Sequence, residues 1–498
     1  SFSLPSSFVA NLGFSVDIYE GKVLIDQINQ MLLPSGTYQL MVGDEVVTVD
    51  GRTPEEWISV FSRFRQRGNS LTTRRSAADL ITFRPQSVYP RAVETGDSAT
   101  VVIRRESGEQ HTLSIPWTKT GVPLRMVGPV PGPLSAAKAA ERHASAAGED
   151  YMKPLMELRN WSVPVNDYLL QGETYTSEDS GPLPRKYVLG WGMRNPRFRL
   201  PENFEQRLGT RPFEFHYSGT YESGGRRIGY IRFPNFAPPN LAFAIMELES
   251  EVQFFEENTD GLVVDVMRNT GGGCYMLDAA KRLIPNEFYF FGEEIRPTLA
   301  RINAFQAAIE SARRRNADQW VIDVYSAYLE QLSQAYAEYR GRTGPLPACT
   351  EFQSVNPSNF MNSPAEVVYT KPLIVLIDEF STSAGDIFPA MLQDNRRGPL
   401  VGTRTSGAGG SISGFPVGAY SESLASNTNS LVVRREPVAV GGYPVSRYLE
   451  NIGAHPDIPL EYMTRENLLN EGRPFVEAFT RILVERIQAS SREASLQE

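Results

Sequence analysis

Cysteine and histidine are the residues that this sequence has least of. Its 498 residues include two cysteines and four histidines, which are His111, His143, His216 and His455. Two cysteines exclude a disulfide scaffold and any metal site built from several thiolates, and we expect no metal or other cofactor. A mechanism that needs a histidine must use one of these four or one that the sequence as given does not contain.

The sequence also lacks a basic surplus and a long apolar run. Lys and Arg total 49 against 58 for Asp and Glu, a net charge of -9, which argues against a nucleic-acid binder. The longest strong apolar run, Leu373–Ile377, has the length of a strand and falls short of the ~18 residues of a membrane span. The chain starts with Ser1 and not Met, so we expect that an upstream piece was removed or left out.

The first third of the chain is rich in strand patterns. Phe14–Ile18 alternates apolar and polar residues, a strand ends at the turn signal Asp50-Gly51, and a short helix is predicted over Pro54–Phe61. Small strands, one helix and a Gly-Asp-Glu-Val loop resemble a PDZ domain over residues 1–127, with an insertion at about 67–93. Another small β domain is the alternative. PDZ domains bind extended peptides as an added strand.

The remaining chain divides into an irregular stretch and an α/β core. Residues 128–225 are rich in Pro, Gly and Ala and predict a linker or an inhibitory segment. Residues 226–487 alternate buried strands with helices, which predicts a parallel-rich sheet covered by helices. A helical insertion is expected at about 296–345, and residues 488–498 form a polar tail that we expect to fray.

Three segments of this core carry possible chemistry. Asp265–Gly273 ends a buried strand in an Asn and three glycines, whose N–H groups could form an oxyanion hole or only a tight turn. Asp378–Asp386 places Ser383 between a buried strand and a helix, the position of a nucleophile or of an ordinary N-cap serine. Leu449–Ile458 holds Glu450 and His455, which could both be solvated.

Together and in this order, the three segments resemble the tail-specific (C-terminal processing) serine peptidases, family S41. The family's Ser-x-Ser-Ala-x-Glu type segment corresponds to residues 381–386, and its second serine, the nucleophile, corresponds to Ser383. Ala408 stands where the family's lysine base would be. The resemblance therefore points to the branch that uses histidine and glutamate, to which the tricorn core belongs, and to a ClpP/crotonase-like α/β core.

The resemblance also implies roles for individual residues. Glu450 is implied as the carboxylate that orients the base. Gly271 or Gly272, with the N–H of Ala384, is implied as the oxyanion hole.

The catalytic histidine is not identified in this chain. The family places it before the PDZ domain, and no histidine precedes His111 here, so we expect the base upstream of Ser1. His111 falls in a surface hairpin and His143 in an Ala-rich solvated stretch. His216 alternates with aromatic residues and is expected to be structural. His455 corresponds to a variable loop position and is not expected to be the base.

The predicted function is that of a serine endopeptidase, which cleaves protein or peptide substrates through an acyl-enzyme. The resemblance further implies a self-processed zymogen, a homodimer, and an exported protein that is secreted or periplasmic. The alternative is a non-catalytic relative that binds peptides or other ligands. Whether Cys274 and Cys349 form a disulfide cannot be read from their spacing.

Overall fold

The computed structural model describes residues 2–3, 6–124, 191–347, 349, 360–416 and 424–497. Residues 125–190, most of the predicted linker or inhibitory segment, lie outside this description, and so does His143. Within the described ranges, no helix combines the length and the apolar character that crossing a bilayer requires.

The N-terminal domain is a small β-rich unit. After β1 (Phe2–Ser3), its elements are β2 (Val9–Asn11), β3 (Phe14–Tyr19), β4 (Lys22–Ile28), β5 (Glu45–Val49), α1 (Pro54–Phe61), α2 (Ser70–Asp79), β6 (Phe83–Pro85), a 3₁₀ helix (Pro90–Glu94), β7 (Ser98–Arg104), β8 (Gln110–Pro116) and β9 (Thr118–Thr120). Five strands form an antiparallel sheet in the order β3-β4-β5-β7-β8. The helix predicted over Pro54–Phe61 is present, and a capping box between Thr53 and Glu56 fixes its start.

The segment 67–93 is an integral part of this domain rather than an appendage to it. Ala77 and Ala78 of α2, with Leu80 and Ile81, are fully buried in the same apolar cluster as Phe61 of α1. Small alanines let α2 approach α1 closely, which the sequence pattern did not reveal. The expected insertion is therefore a layer of the domain's own core.

The second unit is an α/β core. Its elements are β10 (Glu205–Leu208), β11 (Tyr217–Ser223), β12 (Arg226–Arg232), α3 (Leu241–Asn258), β13 (Gly261–Asp265), α4 (Tyr275–Lys281), β14 (Phe288–Tyr289), β15 (Gly292–Ile295), α5 (Leu299–Arg314), α6 (Gln319–Ala337), β16 (Leu346–Pro347), β17 (Met361–Asn362), β18 (Leu373–Ile377), α7 (Ala384–Asp394), β19 (Leu400–Gly402), β20 (Ile412–Pro416), β21 (Leu424–Thr428), β22 (Ser430–Val438), β23 (Ser446–Tyr448), β24 (Ile458–Pro459), α8 (Arg465–Leu469) and α9 (Arg473–Gln497).

The central sheet of the described residues has seven strands in the order β10-β11-β12-β13-β18-β19-β24. From β12 to β24 every neighbouring pair is parallel. All five residues of β13 and all five of β18 are buried, as expected for apolar strands that helices cover on both faces. The predicted parallel-rich α/β core is confirmed.

Two strands of this sheet come from the stretch predicted to be irregular. β10 and β11 lie within 128–225, and β11 pairs with β12 as an antiparallel hairpin. The hairpin turns at Gly224 and Gly225, whose φ angles of 58° and 70° are those of a turn that glycine favours. The core therefore begins before residue 226. This strand was not predicted because most residues of β11 are small or polar.

The helical insertion and the C-terminal tail are both helical. α5 and α6 form a hairpin with its own buried cluster, which includes Phe305, Tyr328 and Leu332. A disulfide joins Cys274, one residue before α4, to Cys349, beyond the hairpin. The expected polar tail is the end of α9, which continues to Gln497 because no Gly or Pro interrupts it after its first turn.

The two units share a buried interface. Tyr19 of β3 and Leu24 of β4 belong to the same apolar cluster as Phe475 and Phe479 of α9. The backbone N–H of Glu20 donates to the carbonyl of Met463. The N-terminal domain is therefore packed onto the face of the central sheet that α9 covers.

Candidate active site

Two of the three predicted segments meet at one edge of the central sheet. β13 and β18 are parallel neighbours, with Asp265 opposite Leu376, so the loops after them leave the sheet side by side. The N–H of Arg268 donates to Asp378 Oδ1 at 2.7 Å, and the N–H of Thr382 donates to the carbonyl of Asn269 at 3.0 Å.

The glycine loop is shaped by contact with Ser383. Gly271 has a φ of 86°, and a Cβ there would lie 2.5 Å from Ser383 Cβ and 3.1 Å from its Oγ. Only glycine allows the loop backbone to come this close to the serine. The N–H of Gly271 donates to Asn269 Oδ1 at 2.8 Å, so this asparagine side chain orders the loop. This role of Asn269 could not be predicted from the sequence.

Ser383 lies at the turn between β18 and α7. Its φ of 57° is unusual for a residue other than glycine, and such strain is typical of functional sites. Ser383 is partly exposed, whereas Ser381 is fully buried and donates to the carbonyl of Val266 at 2.8 Å. In the part of the chain that the structure describes, no hydrogen bond occupies the N–H of Ala384, the first residue of α7.

Asp386 joins the serine turn to the loop after β19. Its buried carboxylate accepts the N–H of Ser383 at 2.8 Å, that of Gly407 at 2.7 Å and that of Ala408 at 3.1 Å. Burial raises the pKa of Asp386 to about 6, although hydrogen bonds from Thr405 and from these N–H groups lower it. In the sequence, Asp386 stands out only as a residue of the serine motif. Its position three residues after Ser383, at the start of a helix, is nevertheless the position of a capping carboxylate.

Glu450 reaches the same loop from the other side. The N–H of Gly410 donates to Glu450 Oε2 at 3.0 Å, and the N–H of Asn451 donates to the carbonyl of Gly407 at 2.7 Å. We call Gly407–Gly410 with Glu450 and Asn451 the rim of the site. Burial raises the pKa of Glu450, and the Gly410 hydrogen bond partly offsets this. The third predicted segment, which contains Glu450, therefore contacts the loop after β19, and Asp386 joins that loop to the turn of Ser383.

A second buried carboxylate lies directly behind the rim. Glu293 of β15 is buried beside the hydroxyls of Ser411 and Ser430, which are hydrogen-bonded to each other at 2.5 Å, and Ser411 follows the rim in sequence. Burial raises the pKa of Glu293 to about 8, although these hydroxyls and the charge of Arg301 lower it.

The described histidines do not reach this site. His216 is fully buried between Glu247, at 2.5 Å from Nδ1, and the Tyr275 hydroxyl, at 2.7 Å from Nε2. His111 lies on β8 and is 3.2 Å from Glu109. Burial lowers the pKa of His455, and Arg404 lowers it further. Among the described residues, no hydrogen bond joins any of these histidines to Ser383 or Glu450.

A network of buried charges lies beneath the serine turn. Arg75 of the N-terminal domain binds Asp17 at 2.5 Å and Glu379 at 2.6 Å, and Arg268 binds Asp378 at 3.2 Å. We call these five residues the floor of the site. Burial would raise the pKa of Glu379, but the charge and hydrogen bond of Arg75, together with a hydrogen bond from Thr403, lower the pKa below its ordinary value.

The N-terminal domain also contacts the loops of the site directly. Asn69 Nδ2 donates to the carbonyl of Thr405 at 3.0 Å, and Thr72 Oγ1 donates to the carbonyl of Glu379. A Cβ on Gly68 would lie 2.4 Å from the carbonyl oxygen of Ser406. The segment 67–93 therefore supports the candidate active site. This support could not be predicted from the sequence, because no local pattern marks contacts between distant segments.

The fold and the site define a class. A model of peptidase family S41 matches residues 227–459, and a PDZ domain model matches residues 9–123. The chain therefore contains a peptidase family S41 domain over residues 227–459, with a PDZ domain ahead of it. The predicted family and the PDZ prediction are confirmed.

Particular relatives follow from whole-chain comparison. The crystal structure of mature CPAF has a TM-score of 0.69 at 19% identity and covers 98% of this chain and 85% of its own. Mature CPAF complexed with lactacystin has a TM-score of 0.68 at 19% identity and covers 98% of this chain and 86% of its own. An uncharacterized protein of Chlamydia muridarum is 25% identical over an alignment of 504 positions that covers 91% of this chain and 76% of that protein. A Chlamydia pneumoniae protein is 24% identical over an alignment of 509 positions that covers 92% of this chain and 75% of that protein.

Proposed function

We propose that this family S41 peptidase is a serine endopeptidase with Ser383 as its nucleophile. The observation that carries the proposal is the position of Ser383, which is held at a strained turn against Gly271 and beside the N–H of Ala384. Attack by Ser383 Oγ on a peptide carbonyl would form a tetrahedral oxyanion. The N–H of Ala384 and that of Gly271 or Gly272 would stabilise this oxyanion, and Gly271 would then have to share its hydrogen bond to Asn269.

The proposed roles of the acid and the base follow from the resemblance and the rim. Glu450 has one hydrogen bond from Gly410 and would use its remaining acceptor capacity to orient the imidazole of the base. The base is the histidine that the family resemblance implies, since the described histidines do not contact Ser383. That histidine would take the proton from Ser383 and return it to the leaving amine.

Replacement of the nucleophile tests this proposal. Ser383→Ala, made in the protein expressed from its complete gene, should abolish casein cleavage and labelling by a fluorophosphonate. Ser107→Ala, in the exposed turn between β7 and β8, should leave both unchanged. Casein cleavage by the Ser383→Ala protein would contradict the assignment of Ser383 as the nucleophile.

A binding protein without proteolysis is the second candidate function. The observation that favours it is that no described histidine contacts Ser383 or Glu450. The fluorophosphonate separates the two candidates, because an activated serine reacts with it and an unactivated one does not. A protein that binds peptides but shows no labelling at Ser383 would support the binding function.

We further propose that the protein is made as a zymogen and cuts itself within 128–225. The irregular composition of this stretch and its place between the two units support the proposal. Mass spectrometry of purified active protein should find a cut there that is missing from Ser383→Ala. One uncut chain with full activity would contradict self-processing.

Two properties that the resemblance implies are also proposals. We propose export, which the Cys274–Cys349 disulfide supports because disulfides persist in oxidising compartments. We also propose a homodimer. Fractionation of the source cells and analytical ultracentrifugation of the purified protein check these two proposals separately.

A further inference from the structure

A large cavity adjoins the glycine loop. It has a volume of about 1090 Å³, and its walls come from segments 192–195, 212–215 and 234–243. Ligand sites are typically clefts of ~300–1,000 Å³ with apolar walls and a few polar groups. Four prolines and three phenylalanines provide the apolar part of its walls, and Arg194, Asn195, Glu214, Asn235 and Asn240 contribute the polar part.

The wall of the cavity is hydrogen-bonded to the glycine loop of the candidate active site. The N–H of Phe236 donates to the carbonyl of Gly271, and the N–H of Gly273 donates to the carbonyl of Phe236 at 2.8 Å. A Cβ on Gly272 would lie 2.5 Å from the backbone nitrogen of Ala237, which lines the cavity. Gly271 in turn touches Ser383, so these two glycines separate the cavity edge from the serine, a span of about three residues of an extended peptide.

The charged groups of the cavity wall are hydrogen-bonded to the backbone around them. Arg194 donates to the carbonyls of Arg211 and Glu214, each at 2.7 Å. The carboxylate of Glu214 accepts the N–H of Gly209 at 2.9 Å and that of Arg211 at 2.8 Å. These bonds hold the wall in a preformed shape.

The mouth of the cavity presents aromatic surface. Phe213 is 62% exposed, and its ring meets that of Phe243 edge to face at 5.9 Å. Exposed aromatic surface beside a cleft is typical of a site that binds an apolar group.

We propose that this cavity binds a bulky apolar side chain, aromatic or branched, of an extended peptide substrate, within about three residues of the bond that Ser383 attacks. The inference rests on the proposed function for its substrate, and it assigns the cavity as a determinant of specificity. Apolar walls favour such a side chain over alanine because they remove more of its surface from water.

Peptide binding to the Ser383→Ala protein tests the cavity independently of catalysis. The probe is a set of fluorescent ten-residue peptides that are identical except for a central Phe, Leu, Ala or Glu. We expect the Phe and Leu peptides to bind at least tenfold more tightly than the Ala peptide, and the Glu peptide to bind most weakly. Equal affinity for all four peptides would overturn the proposal.

Variants of Phe213 and Phe243 test whether the central side chain of the peptide binds in the cavity. Phe213→Ser and Phe243→Ser should each lower the ratio of Phe to Ala affinity by at least fivefold and leave binding of the Ala peptide unchanged. The matched control is Tyr336→Ser, which removes an aromatic ring that is 42% exposed on α6, away from the cavity. Phe213 is mainly exposed, so its variant tests the cavity even if Phe243→Ser does not fold.

The outcomes separate this inference from the proposed function. If the ratio depends on Phe213 but Ser383 is not needed for cleavage, the cavity is a peptide site and the nucleophile is wrong. If cleavage needs Ser383 but the ratio is the same in Phe213→Ser, the nucleophile holds and the cavity assignment is overturned.

Discussion

The floor and the rim of the candidate site hold their carboxylates in opposite ways. In the floor, Asp17, Asp378 and Glu379 are buried, and each forms an ion pair with Arg75 or Arg268. In the rim, Glu450 is partly exposed, takes one hydrogen bond from Gly410, and forms no ion pair among the described residues.

This difference separates carboxylates that are held in ion pairs from a carboxylate that can still accept hydrogen bonds. A buried ion pair contributes little net stability, but the removal of one partner costs much because the other charge stays buried. The floor charges are therefore committed to joining the PDZ domain to the serine turn. A carboxylate has about four acceptor positions, and Glu450 uses one of them within the described structure, so it can still orient another group.

The largest expected effect is on catalytic rate at the rim. Glu450→Gln should lower kcat by about 10³–10⁴-fold, because an amide cannot stabilise the imidazolium that forms on the base. Its unfolding free energy should change by less than about 1 kcal/mol, since an amide oxygen can still accept from Gly410. Glu436→Gln, at an exposed position of β22, is the control for kcat. Equal kcat in the two variants would remove Glu450 from the mechanism.

The next effect is on stability at the floor. Arg75→Ala should lower the free energy of unfolding by about 3–5 kcal/mol in urea, because Asp17 and Glu379 remain buried without their cation. The neighbouring Arg74 forms an exposed ion pair with Glu55 at 2.6 Å, so Arg74→Ala should cost about 1 kcal/mol or less. If the two variants cost the same, the floor is not a committed network.

A smaller effect is expected at Asp386, which joins the serine turn to the rim. Asp386→Asn replaces an acceptor of several N–H groups with a side chain that has one acceptor oxygen, so we expect a loss of about 1–3 kcal/mol. Because the Ser383 backbone loses its hydrogen bond, kcat should fall more than KM rises. Asp323→Asn, at an exposed position of α6, should change neither quantity. A KM effect alone would argue against a positioning role.

The last expected effect is a change with pH and not a loss at one pH, and Glu293 contributes it from behind the rim. Its pKa is about 8 in the folded protein against an ordinary value of 4.5, so the folded state holds a proton that the unfolded state releases. This contribution to stability is complete below about pH 4.5 and is lost as the pH rises to about 8, with a slope of at most about 1.4 kcal/mol per pH unit.

Urea unfolding between pH 5 and pH 9 measures this contribution. The parent protein should lose stability more steeply over this range than Glu293→Gln, which carries no titrating proton. Parallel curves for the two proteins would show that Glu293 does not titrate in this window. The pH dependence of stability that Glu379 contributes has the opposite sign, because its lowered pKa adds stability that is lost on acidification.

The sequence predicts the parts of this molecule that are marked by local patterns. β13 and β18 were found because both are continuous apolar runs, and Ser383 was singled out because it follows one run and starts a helix. Arg75 was not found, because Glu379 lies 304 residues away and no local pattern marks such a contact. β11 was missed because most of its residues are small or polar, as in a loop, although Gly224-Gly225 marks its turn.

The disulfide between Cys274 and Cys349 makes residues 274–349 a covalent ring that encloses both helices of the hairpin. One cut in α5 or α6 leaves two fragments that stay joined on a denaturing gel until a thiol is added. A cut within 128–225 lies outside the ring and separates its fragments with or without thiol. Paired lanes with and without reductant therefore distinguish a maturation cut from damage to the hairpin, before any fragment is sequenced.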